Sequence, residues 1–343
     1  MLKTVIIGTG NIATTRHMPA LRAHPDRFTV TGVIDRNEER AIAFAKKFNL
    51  QNYATDLHHK NANWYTQADI VLVTTPPHQH YEMVKKCLQD RKHVLVEKPF
   101  TTDLNQSKEL FELATKHNLM LAVNHNFQFS RAFTKASKLI EQNKIGKIRG
   151  IYCVQITNDQ RRLPVWAEEL PLGLFYDETP HVFYLLRKFG GDIKVTNVHS
   201  LPSTVKPHTP HSINIDLSAG KIPSSIYINF ESPVCEWYFM IFGEHKLIHV
   251  DMFRDIITVL PNDGQHLMKE VITTSLIATT SHWTGILRNS VDYIRHNLFY
   301  GIDEVHNRFF QAVTKNDKTY LRGISAQDGL AVNEAQWQVI DKT

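Results

Sequence analysis

A lysine that follows a predicted strand is the first residue that could do chemistry. Lys98 lies between Glu97 and Pro99, directly after the apolar run His93–Val96. Ligands of open parallel sheets bind outside the carboxyl ends of the strands, so Lys98 should lie near a bound ligand. Its ammonium group could donate a hydrogen bond to a substrate oxygen, and partial burial beside positive charge would lower its pKa. A surface lysine at a strand end is the alternative.

A carboxylate and an imidazole form a second candidate pair. Asp177 and His181 are spaced i, i+4 at the start of a helix predicted over Asp177–Phe189, so they should lie on one face of it. A carboxylate beside an imidazole fixes its tautomer and raises its basicity, which suits a general base. The alternative is a capping aspartate with an unrelated histidine.

A glycine-rich loop could bind phosphate groups. It follows the predicted strand Thr4–Ile7 and opens a helix predicted over Asn11–Ala23, with the pattern G-x-G-x-x-G/A. Its residues are Gly8, Thr9, Gly10, Asn11, Ile12 and Ala13. Gly8 permits the tight turn, and Gly10 lets the backbone approach a pyrophosphate. The helix N-terminus supplies unpaired N–H groups.

Asp35 supports a dinucleotide cofactor. It ends the second predicted strand, Phe28–Ile34, where such domains place a carboxylate for the adenosine ribose hydroxyls. This carboxylate favours NAD, because it repels a 2′-phosphate. Arg36 could pair with such a phosphate, so NADP stays possible. Strand, loop, helix and Asp35 together favour this interpretation over a chance glycine turn.

Strands and helices that could position these residues alternate over the first third of the chain. The predicted strands are Thr4–Ile7, Phe28–Ile34, a short one near Tyr53, Asp69–Thr74, His93–Val96 and Leu119–Val123. The predicted helices are Asn11–Ala23, Asn37–Phe48, His80–Leu88 and Asp103–Lys116. Such alternation indicates a parallel sheet with right-handed crossovers. Residues 1–124 are therefore predicted to form a doubly wound Rossmann domain, and the fold class is α/β.

The pattern changes after Gly146 to a series of strands. These are predicted over Ile148–Ile156, Val195–Leu201, Ser212–Leu217, Ser224–Phe230, Glu236–Phe242, Lys246–Val250 and Asp255–Leu260. Further helices are predicted over Asp177–Phe189, Ser290–His296, Glu304–Val313 and Ser325–Val339. The strands indicate an antiparallel or mixed sheet. Residues 125–343 are predicted to form an α+β domain for substrate binding and oligomerisation.

Composition excludes several classes of protein. The chain has 343 residues, with 39 Lys and Arg against 34 Asp and Glu and a net charge of +5. This surplus is mild and no long run of like charges exists, so no nucleic-acid partner is predicted. No apolar stretch approaches the ~20 residues of a membrane span. Cys87, Cys153 and Cys235 suggest no disulfide framework, and we expect a cytoplasmic protein.

A zinc site is a further alternative. His245 and His249 share the spacing of a zinc-binding pair on a helix, but the residues around them are predicted as strand and turn. Residues four apart also share a face of a strand, and no Glu-x-x-His pattern accompanies them. No metal is predicted.

Three motifs, in this order, make the chain resemble the family of glucose–fructose oxidoreductase, inositol dehydrogenase and rhizopine catabolism proteins (Gfo/Idh/MocA). They are the loop Gly8–Ala13, the tripeptide 97–99 (Glu-Lys-Pro) and Asp177-x-x-x-His181. The segment 75–80 (Thr-Pro-Pro-His-Gln-His) resembles the family's Pro-x-x-x-His segment. The similarity runs over almost the whole chain.

The resemblance implies hydride transfer between a nicotinamide cofactor and a carbinol or carbonyl of a sugar, polyol or nucleotide-sugar. It implies that His181 is the general base, that Asp177 orients it and that Lys98 donates to the reacting oxygen. The residues expected at the cofactor are Gly8, Thr9, Gly10, Asn11, Ile12, Asp35, Arg36, Thr75, Pro76, His80, Glu97 and Lys98. A large open mixed sheet in the C-terminal domain is expected to form homodimers or homotetramers.

The chain departs from the family pattern at three positions. Members often read Asp-x-Gly-x-His-x-x-Asp, whereas Thr179 and Tyr184 replace the glycine and the last aspartate here. Gln128 stands where an arginine is common, before Phe129. These positions should lie near the substrate, so we expect them to affect specificity more than reaction type.

Further residues are candidates for substrate contacts. Arg161, Arg162 and Trp166 could hold a phosphate or stack on a sugar, although a solvated loop with one anchoring tryptophan explains them equally. His125 and Asn126 could contact hydroxyl groups.

A non-catalytic, dinucleotide-sensing regulator of the same fold is the rival function. A regulator has no need of an intact proton-handling set. The presence of Lys98, Asp177 and His181 therefore favours an enzyme.

Overall fold

The computed structural model describes residues 1–57, 63–161, 163–294 and 300–343. They divide into two compact units. The first unit comprises residues 1–125 and 302–334, and the second comprises residues 126–301 and 335–343. Among the described residues, no helix has both the length and the apolar character that crossing a membrane requires.

The first unit contains a six-stranded parallel sheet with the order β3-β2-β1-β4-β5-β6. Its strands are β1 (Leu2–Ile7), β2 (Phe28–Ile34), β3 (Tyr53–Ala54), β4 (Ile70–Val73), β5 (His93–Val96) and β6 (Leu121–Val123). Its helices are α1 (Met18–Arg22), α2 (Glu38–Lys47), α3 (Asn63–Thr66), α4 (His80–Gln89) and α5 (Leu104–Lys116). This strand order is that of a dinucleotide-binding domain, which confirms the predicted Rossmann fold.

The strands are apolar on both faces because helices cover both sides of the sheet. Val71, Val73, Val94 and Val96 are buried in one cluster with side chains of α4 and α5. The carboxyl ends of β1, β4 and β5 therefore meet at one edge of a rigid layer. That edge carries the glycine loop and Lys98.

The helix predicted over Asn11–Ala23 is interrupted. A π-helical turn over Ala13–His17 precedes α1, and the His17 side chain is completely buried. A π-helical turn contains one residue more than an α-helical turn, so it changes the direction of the side chains beside it. An imidazole on what the sequence pattern treats as an ordinary helix thus enters the interior.

The second unit is built on a seven-stranded mixed sheet with the order β13-β12-β11-β7-β10-β9-β8. Its strands are β7 (Ile148–Asn158), β8 (Ile193–Leu201), β9 (Ser212–Ala219), β10 (Ile222–Ser232), β11 (Glu236–Gly243), β12 (Lys246–Asp251) and β13 (Ile256–Pro261). β7 and β10 pair parallel, and the other neighbours pair antiparallel. The predicted α+β domain with a large mixed sheet is confirmed.

Buried and half-buried side chains alternate along the long strands, as in β7 and β10. Helices of this unit are α6 (Arg131–Glu141), α7 (Leu174–Glu178), α8 (Pro180–Gly190) and α9 (Met268–Ile294). α6 and α8 pack on the sheet. The alternation shows that one face of the sheet is the core and the other is more open.

The two last helices follow residues 126–301 of the second unit in sequence. α10 (Ile302–Lys315) belongs to the first unit, and α11 (Ala326–Ile340) crosses the division at residue 334. The apolar face of α10, with Val305, Phe309 and Ala312, is buried, and the N–H of Val123 donates to the carbonyl of Ile324. The sequence-based division after residue 124 differs here, since it placed residues 302–334 in the second domain. Residues 302–334 return to the first unit after residues 126–301 of the second, and no local sequence pattern marks such a return.

Candidate functional site

Gly8 must be a glycine because of its neighbour β4. Its φ is +97°, and a Cβ there would lie 2.8 Å from the carbonyl carbon of Thr74. The hydroxyl of Thr74 donates to the carbonyl of Gly8 at 2.8 Å and to that of Ile7 at 3.1 Å. The loop is therefore pressed against the end of β4, where a side chain would not fit.

Gly10 lies in a different environment. No heavy atom lies within 4 Å of the position that a Cβ would occupy, and the residue is exposed. Ala13 is completely buried, so the turn that follows packs closely on the sheet. The loop thus has a packed side at Gly8 and an open side at Gly10, with Asn11 exposed and Ile12 half-buried. An open backbone beside helix N–H groups suits a pyrophosphate.

Asp35 is bound to the same loop. Its Oδ2 accepts from the backbone N–H of Thr9 at 2.9 Å and from the Thr9 hydroxyl at 2.6 Å. Its Oδ1 accepts from the N–H of Asn37 at 2.9 Å. A carboxylate has lone pairs beyond these bonds, so Asp35 can still accept from ribose hydroxyls while it positions the loop. Arg36 beside it is exposed.

The segment after β4 is held by a buried imidazole. His80 lies 2.7 Å from the carbonyl oxygen of Pro99 through Nδ1 and 2.8 Å from that of Thr75 through Nε2. Burial lowers the pKa of His80, although the carbonyl contacts act in the opposite direction. His80 was expected at the cofactor. Its complete burial indicates that it supports the two loops, whereas Thr75 and Pro76 are half-buried and accessible.

Glu97 is the centre of a buried polar network. Its Oε1 lies 2.6 Å from His17 Nε2 and accepts from the Asn124 amide at 2.7 Å. On the other side, His17 Nδ1 lies 2.9 Å from Nε2 of His306, a residue of α10. Glu97 was expected at the cofactor, but its carboxylate is almost completely buried among these groups. From this buried position Glu97 holds the backbone of Lys98.

The charges of this network follow from its environment. Burial alone would raise the pKa of Glu97, but the hydrogen bond and positive charge of His17, with Lys98 and Asn124, hold that pKa below its usual value. Burial, followed by repulsion from His17 and His24, holds the pKa of His306 well below the usual value. Glu97 is therefore ionised and His306 neutral at neutral pH. The carboxylate must accept, so His17 Nε2 carries the proton that it donates.

Lys98 follows this carboxylate directly. Its backbone N–H donates to Glu97 Oε2 at 3.1 Å, and its side chain is half-buried. The two oxygens of Glu97 have different partners: Oε1 contacts His17, and Oε2 accepts from the Lys98 backbone. Together these bonds fix the turn at the end of β5. Lys98 thus lies just after the carboxyl end of β5, and its contact with a bound ligand stays a prediction.

In the second unit, Asp177 and His181 lie on either side of a helix interruption. Asp177 belongs to α7, whereas His181 belongs to α8, which begins at Pro180. Pro180 has no N–H for the carbonyl of Tyr176, four residues earlier. The amide of Gln336 donates to that carbonyl at 2.8 Å instead, and to the Thr179 hydroxyl at 3.0 Å. The single helix predicted over Asp177–Phe189 is thus two helices, held in line by α11.

A tyrosine contacts the imidazole of His181. The Tyr184 hydroxyl lies 2.8 Å from His181 Nδ1 and accepts from the backbone N–H of Phe127 at 3.0 Å. Tyr184 stands where family members often have the second aspartate. The phenol can accept from Nδ1–H, which leaves a lone pair on Nε2. The structure thus gives His181 an orienting contact at Tyr184, and the orienting role expected of Asp177 stays a prediction.

Aromatic rings surround His181. Phe127 packs edge-on at 4.9 Å between ring centroids, and Trp237 lies at 5.8 Å. Both Asp177 and His181 are half-buried. A half-buried imidazole with one nitrogen fixed by a phenol is well placed for proton transfer. Sequence reasoning missed Phe127 and Trp237, because aromatic residues at these spacings look like ordinary core, and it identified Tyr184 only as a departure from the family pattern.

The other substrate candidates are dispersed. His125 and Asn126 are buried, with His125 Nδ1 3.1 Å from the carbonyl of Gly323 and Asn126 donating to that of Tyr300 at 2.9 Å. Both side chains therefore have structural partners. Trp166 is half-buried in a 3-10 turn. Arg162 lies outside the described residues.

Arg161 has a different partner from the one expected. Its guanidinium forms an ion pair with Glu178, which also accepts from the Gln155 amide. Since the Glu178 carboxylate compensates the positive charge, Arg161 is a weak candidate for binding a substrate phosphate. Among residues 1–57, 63–161, 163–294 and 300–343, no group of His, Cys, Asp and Glu could hold a metal ion.

Comparison with known proteins identifies the first unit. Residues 2–125 match the model of the oxidoreductase family with an NAD-binding Rossmann fold, Gfo/Idh/MocA. An uncharacterized oxidoreductase of Schizosaccharomyces pombe is 26% identical over 329 residues, which are 93% of this chain and 76% of that protein. The dTDP-3,4-didehydro-2,6-dideoxy-α-D-glucose 3-reductase of Actinomadura kijaniata is 32% identical over 151 residues, 43% of each protein.

A solved structure shares the whole fold. Levoglucosan dehydrogenase in complex with NADH and levoglucosan superposes with a TM-score of 0.76 at 18% identity, covering 99% of this chain and 96% of that one. These findings confirm the resemblance to Gfo/Idh/MocA oxidoreductases and the dinucleotide cofactor. The residues at Gly8, Gly10 and Asp35 fit that cofactor.

Proposed function

We propose that this chain, whose N-terminal domain is that of a Gfo/Idh/MocA oxidoreductase, transfers a hydride between a nicotinamide dinucleotide and a carbinol or carbonyl of a sugar, polyol or nucleotide-sugar. The observation that carries the proposal is the position of Lys98. The buried carboxylate of Glu97 fixes its backbone at the end of β5, on the sheet edge that also bears the glycine loop. That edge is where dinucleotides bind in folds of this order.

The proposed chemistry divides between cofactor and chain. A dinucleotide held by the glycine loop and Asp35 would supply the acceptor for the hydride of the carbinol carbon in oxidation. His181 accepts the hydroxyl proton at Nε2, and Lys98 donates a hydrogen bond to the oxygen on which negative charge develops. Loss of hydride and proton leaves a carbonyl, so atoms and charge balance. Reduction reverses each step.

Tyr184 and Glu97 support these two groups. The Tyr184 phenol beside Nδ1 selects the imidazole orientation in which Nε2 can act as the base. Glu97 binds the Lys98 backbone and, being ionised, favours a positive charge on the ammonium group through space. Asp177, half-buried one helical turn before His181, is proposed to raise the basicity of the imidazole.

The proposed substrate class rests on two kinds of support. Half-buried Phe127, edge-on to His181, gives the surroundings of the imidazole an apolar surface on which the C–H face of a sugar ring can pack. The buried Trp237 packs against Phe127. The names of the compared proteins include a sugar dehydrogenase and a nucleotide-sugar reductase. Because Arg161 is paired with Glu178, the proposal favours neutral sugars and polyols over sugar phosphates.

A screen of substrates tests the proposal. The full chain is incubated with NAD or NADP and a panel of polyols, aldoses, anhydrosugars, UDP-sugars and dTDP-sugars, while reduced cofactor is followed by fluorescence. The expected result is turnover on at least one class, with NAD preferred because Asp35 disfavours a 2′-phosphate. Cofactor binding without turnover in either direction would favour the dinucleotide-sensing regulator instead.

A further inference from the structure

The apolar side of α9 points away from the unit to which the helix belongs. All of its 27 residues are described, and none of them is buried. Seven large apolar side chains lie along one side of it at spacings of three, four or seven residues and are between 46% and 75% exposed. They are Met268, Ile272, Leu276, Trp283, Leu287, Val291 and Ile294, which we call the α9 stripe.

The opposite, polar side of α9 holds the helix on the sheet. A Cβ on Gly285 would lie 2.7 Å from the side chain of Ile256, so the helix packs closely against β13 there. The Asn289 amide donates to the carbonyl of Arg254, and Asp292 forms an ion pair with Arg131. These contacts fix the rotation of α9. Its stripe therefore stays outward, the reverse of an ordinary surface helix.

The α9 stripe is suited to a binding partner with an apolar surface and little charge. Contiguous exposed patches of this size mark interaction sites in folded proteins. Residues 271–287 contain no Lys, Arg, Asp or Glu, so a charged peptide would find no complementary groups along most of the helix. A helix that binds membrane surfaces typically carries Lys and Arg on its polar face. Here the half-buried side of α9, which faces the protein, includes Thr274, Ser281 and Asn289 but no Lys or Arg.

The spacing of the stripe is complementary to itself. Counted from the midpoint between Ser281 and His282, Ile272 lies as far in one direction as Val291 lies in the other. The same holds for Leu276 with Leu287 and for Thr280 with Trp283. If two copies of α9 pack antiparallel about a two-fold axis, the large side chains from Ile272 to Val291 each face an apolar partner or the small Thr280. Such self-complementarity is what an isologous interface requires.

The size of the stripe fits this partner. A helix of 27 residues is about 40 Å long at ~1.5 Å per residue. With a contact width of about 12 Å, two such helices would bury roughly 1,000 Å² in total. A biological interface should clear about 1,000 Å² with good complementarity. We therefore propose that α9 is a self-association surface, in which the stripes of two copies of this chain pack antiparallel. It is separate from the open sheet face from which family resemblance predicts oligomers.

Mass measurement of the full chain tests the proposal. The variant L276E/L287E places charge in the stripe, while the control A278E/H282E places it on the exposed flank of the same helix. The native chain and the control should have the same particle mass by light scattering, and L276E/L287E should have half of it. Far-UV circular dichroism and cofactor binding verify that the variants fold. A monomeric native chain, or a folded L276E/L287E of unchanged mass, would contradict the proposal.

Cross-linking tests the antiparallel arrangement. In one chain, positions 276 and 287 are about 16 Å apart at ~1.5 Å per residue, too far for a disulfide, which needs a Cα separation below about 7 Å. Oxidation of L276C/L287C with diamide should therefore give a covalent dimer, and L276C alone should give little. Efficient dimers of L276C alone would indicate parallel packing and overturn the arrangement.

A membrane is the competing cover, and sedimentation with vesicles distinguishes it. Vesicles of phosphatidylcholine and phosphatidylglycerol should leave the native chain in the supernatant. If the native chain pelleted with vesicles and L276E/L287E did not, the stripe would be a lipid-binding surface, and the proposal would be wrong.

Discussion

His17 Nε2 and Glu97 Oε1 lie 2.6 Å apart in the interior of the first unit. The relationship connects the π-helical turn after the glycine loop with the carboxylate that holds the Lys98 backbone. Two parts of the proposed site, the phosphate loop and the lysine, are thus joined by one buried bond. A substitution that breaks the His17–Glu97 bond should therefore disturb both the phosphate loop and the position of Lys98.

Replacing His17 by leucine should destabilise the chain strongly. The substitution leaves the Glu97 carboxylate buried without its main partner, and removing one member of a buried charged pair costs about 3–5 kcal/mol. We expect a loss of about 3 kcal/mol in the free energy of unfolding, measured with urea. The double variant H17L/E97Q should recover part of the loss, because it removes the uncompensated charge. A single variant as stable as the native chain would contradict this reading of the network.

Stability should fall as the pH is lowered from about 7 to 5. Burial lowers the pKa of both His80 and His306 in the folded state, while an unfolded histidine titrates near about 6.5. Below that value protons bind the unfolded chain preferentially, so acid favours unfolding. Replacing His306 with phenylalanine should flatten the slope of melting temperature against pH. Replacing the exposed His78 with glutamine should not, and equal slopes in all three proteins would exclude the histidines as the cause.

Glu97 should extend this dependence to lower pH. Its pKa is lowered in the folded state, so its contribution is complete above the ordinary glutamate value of about 4.3 and is lost as the pH falls through the lower folded value. The acid limb of the stability curve should therefore be less steep in E97Q than in the native chain. Urea unfolding between about pH 5 and 3 measures it, and an unchanged limb would refute the assignment.

Alanine at the two loop glycines should separate folding from cofactor binding. In G10A the new methyl group meets open space, so the melting temperature should stay within about 2 °C of native, since one kcal/mol corresponds to a few degrees. The same methyl group should obstruct a pyrophosphate and weaken NAD binding at least tenfold. In G8A the clash with Thr74 should reduce stability as well. Calorimetric titration measures the affinity of each variant for NAD. Native affinity in G10A would contradict the proposal that this loop binds the pyrophosphate.

Tyr184→Phe should impair turnover more than folding. The variant removes the hydroxyl beside His181 Nδ1 and the acceptor for the Phe127 N–H. One buried hydrogen bond is worth about 1 kcal/mol of stability. We expect kcat to fall about tenfold with a small change in KM, and the pH optimum to move because the imidazole loses its orienting partner. Y152F, altered on the half-buried open face of the second sheet, is the control. An unchanged pH profile in Y184F would leave Tyr184 a packing residue.

The role of a residue could be predicted where it depends on neighbouring residues in the sequence. It could not be predicted where it depends on contacts that folding makes between distant positions. The glycine loop, Asp35 and Lys98 follow from strand ends and turn chemistry, which are short-range signals. His17 and His306 are separated by 289 positions, and no periodicity connects them. Tyr184 was visible only as a departure from a motif. The sequence predicted a helix only from Ser290, whereas α9 begins at Met268, because its many threonines and outward apolar residues do not match an ordinary surface helix.

Lys98→Ala tests the central claim most directly. Lys98 is proposed to donate to the oxygen of the reacting carbinol, so its loss should lower kcat at least a hundredfold, the scale of removing one charge-stabilising donor. NAD affinity should stay within about twofold, and the exposed lysine variant K108A should behave like the native chain. With the best substrate of the panel, single-turnover formation of reduced cofactor should be slow in K98A alone. Native single-turnover rates in K98A would contradict the account.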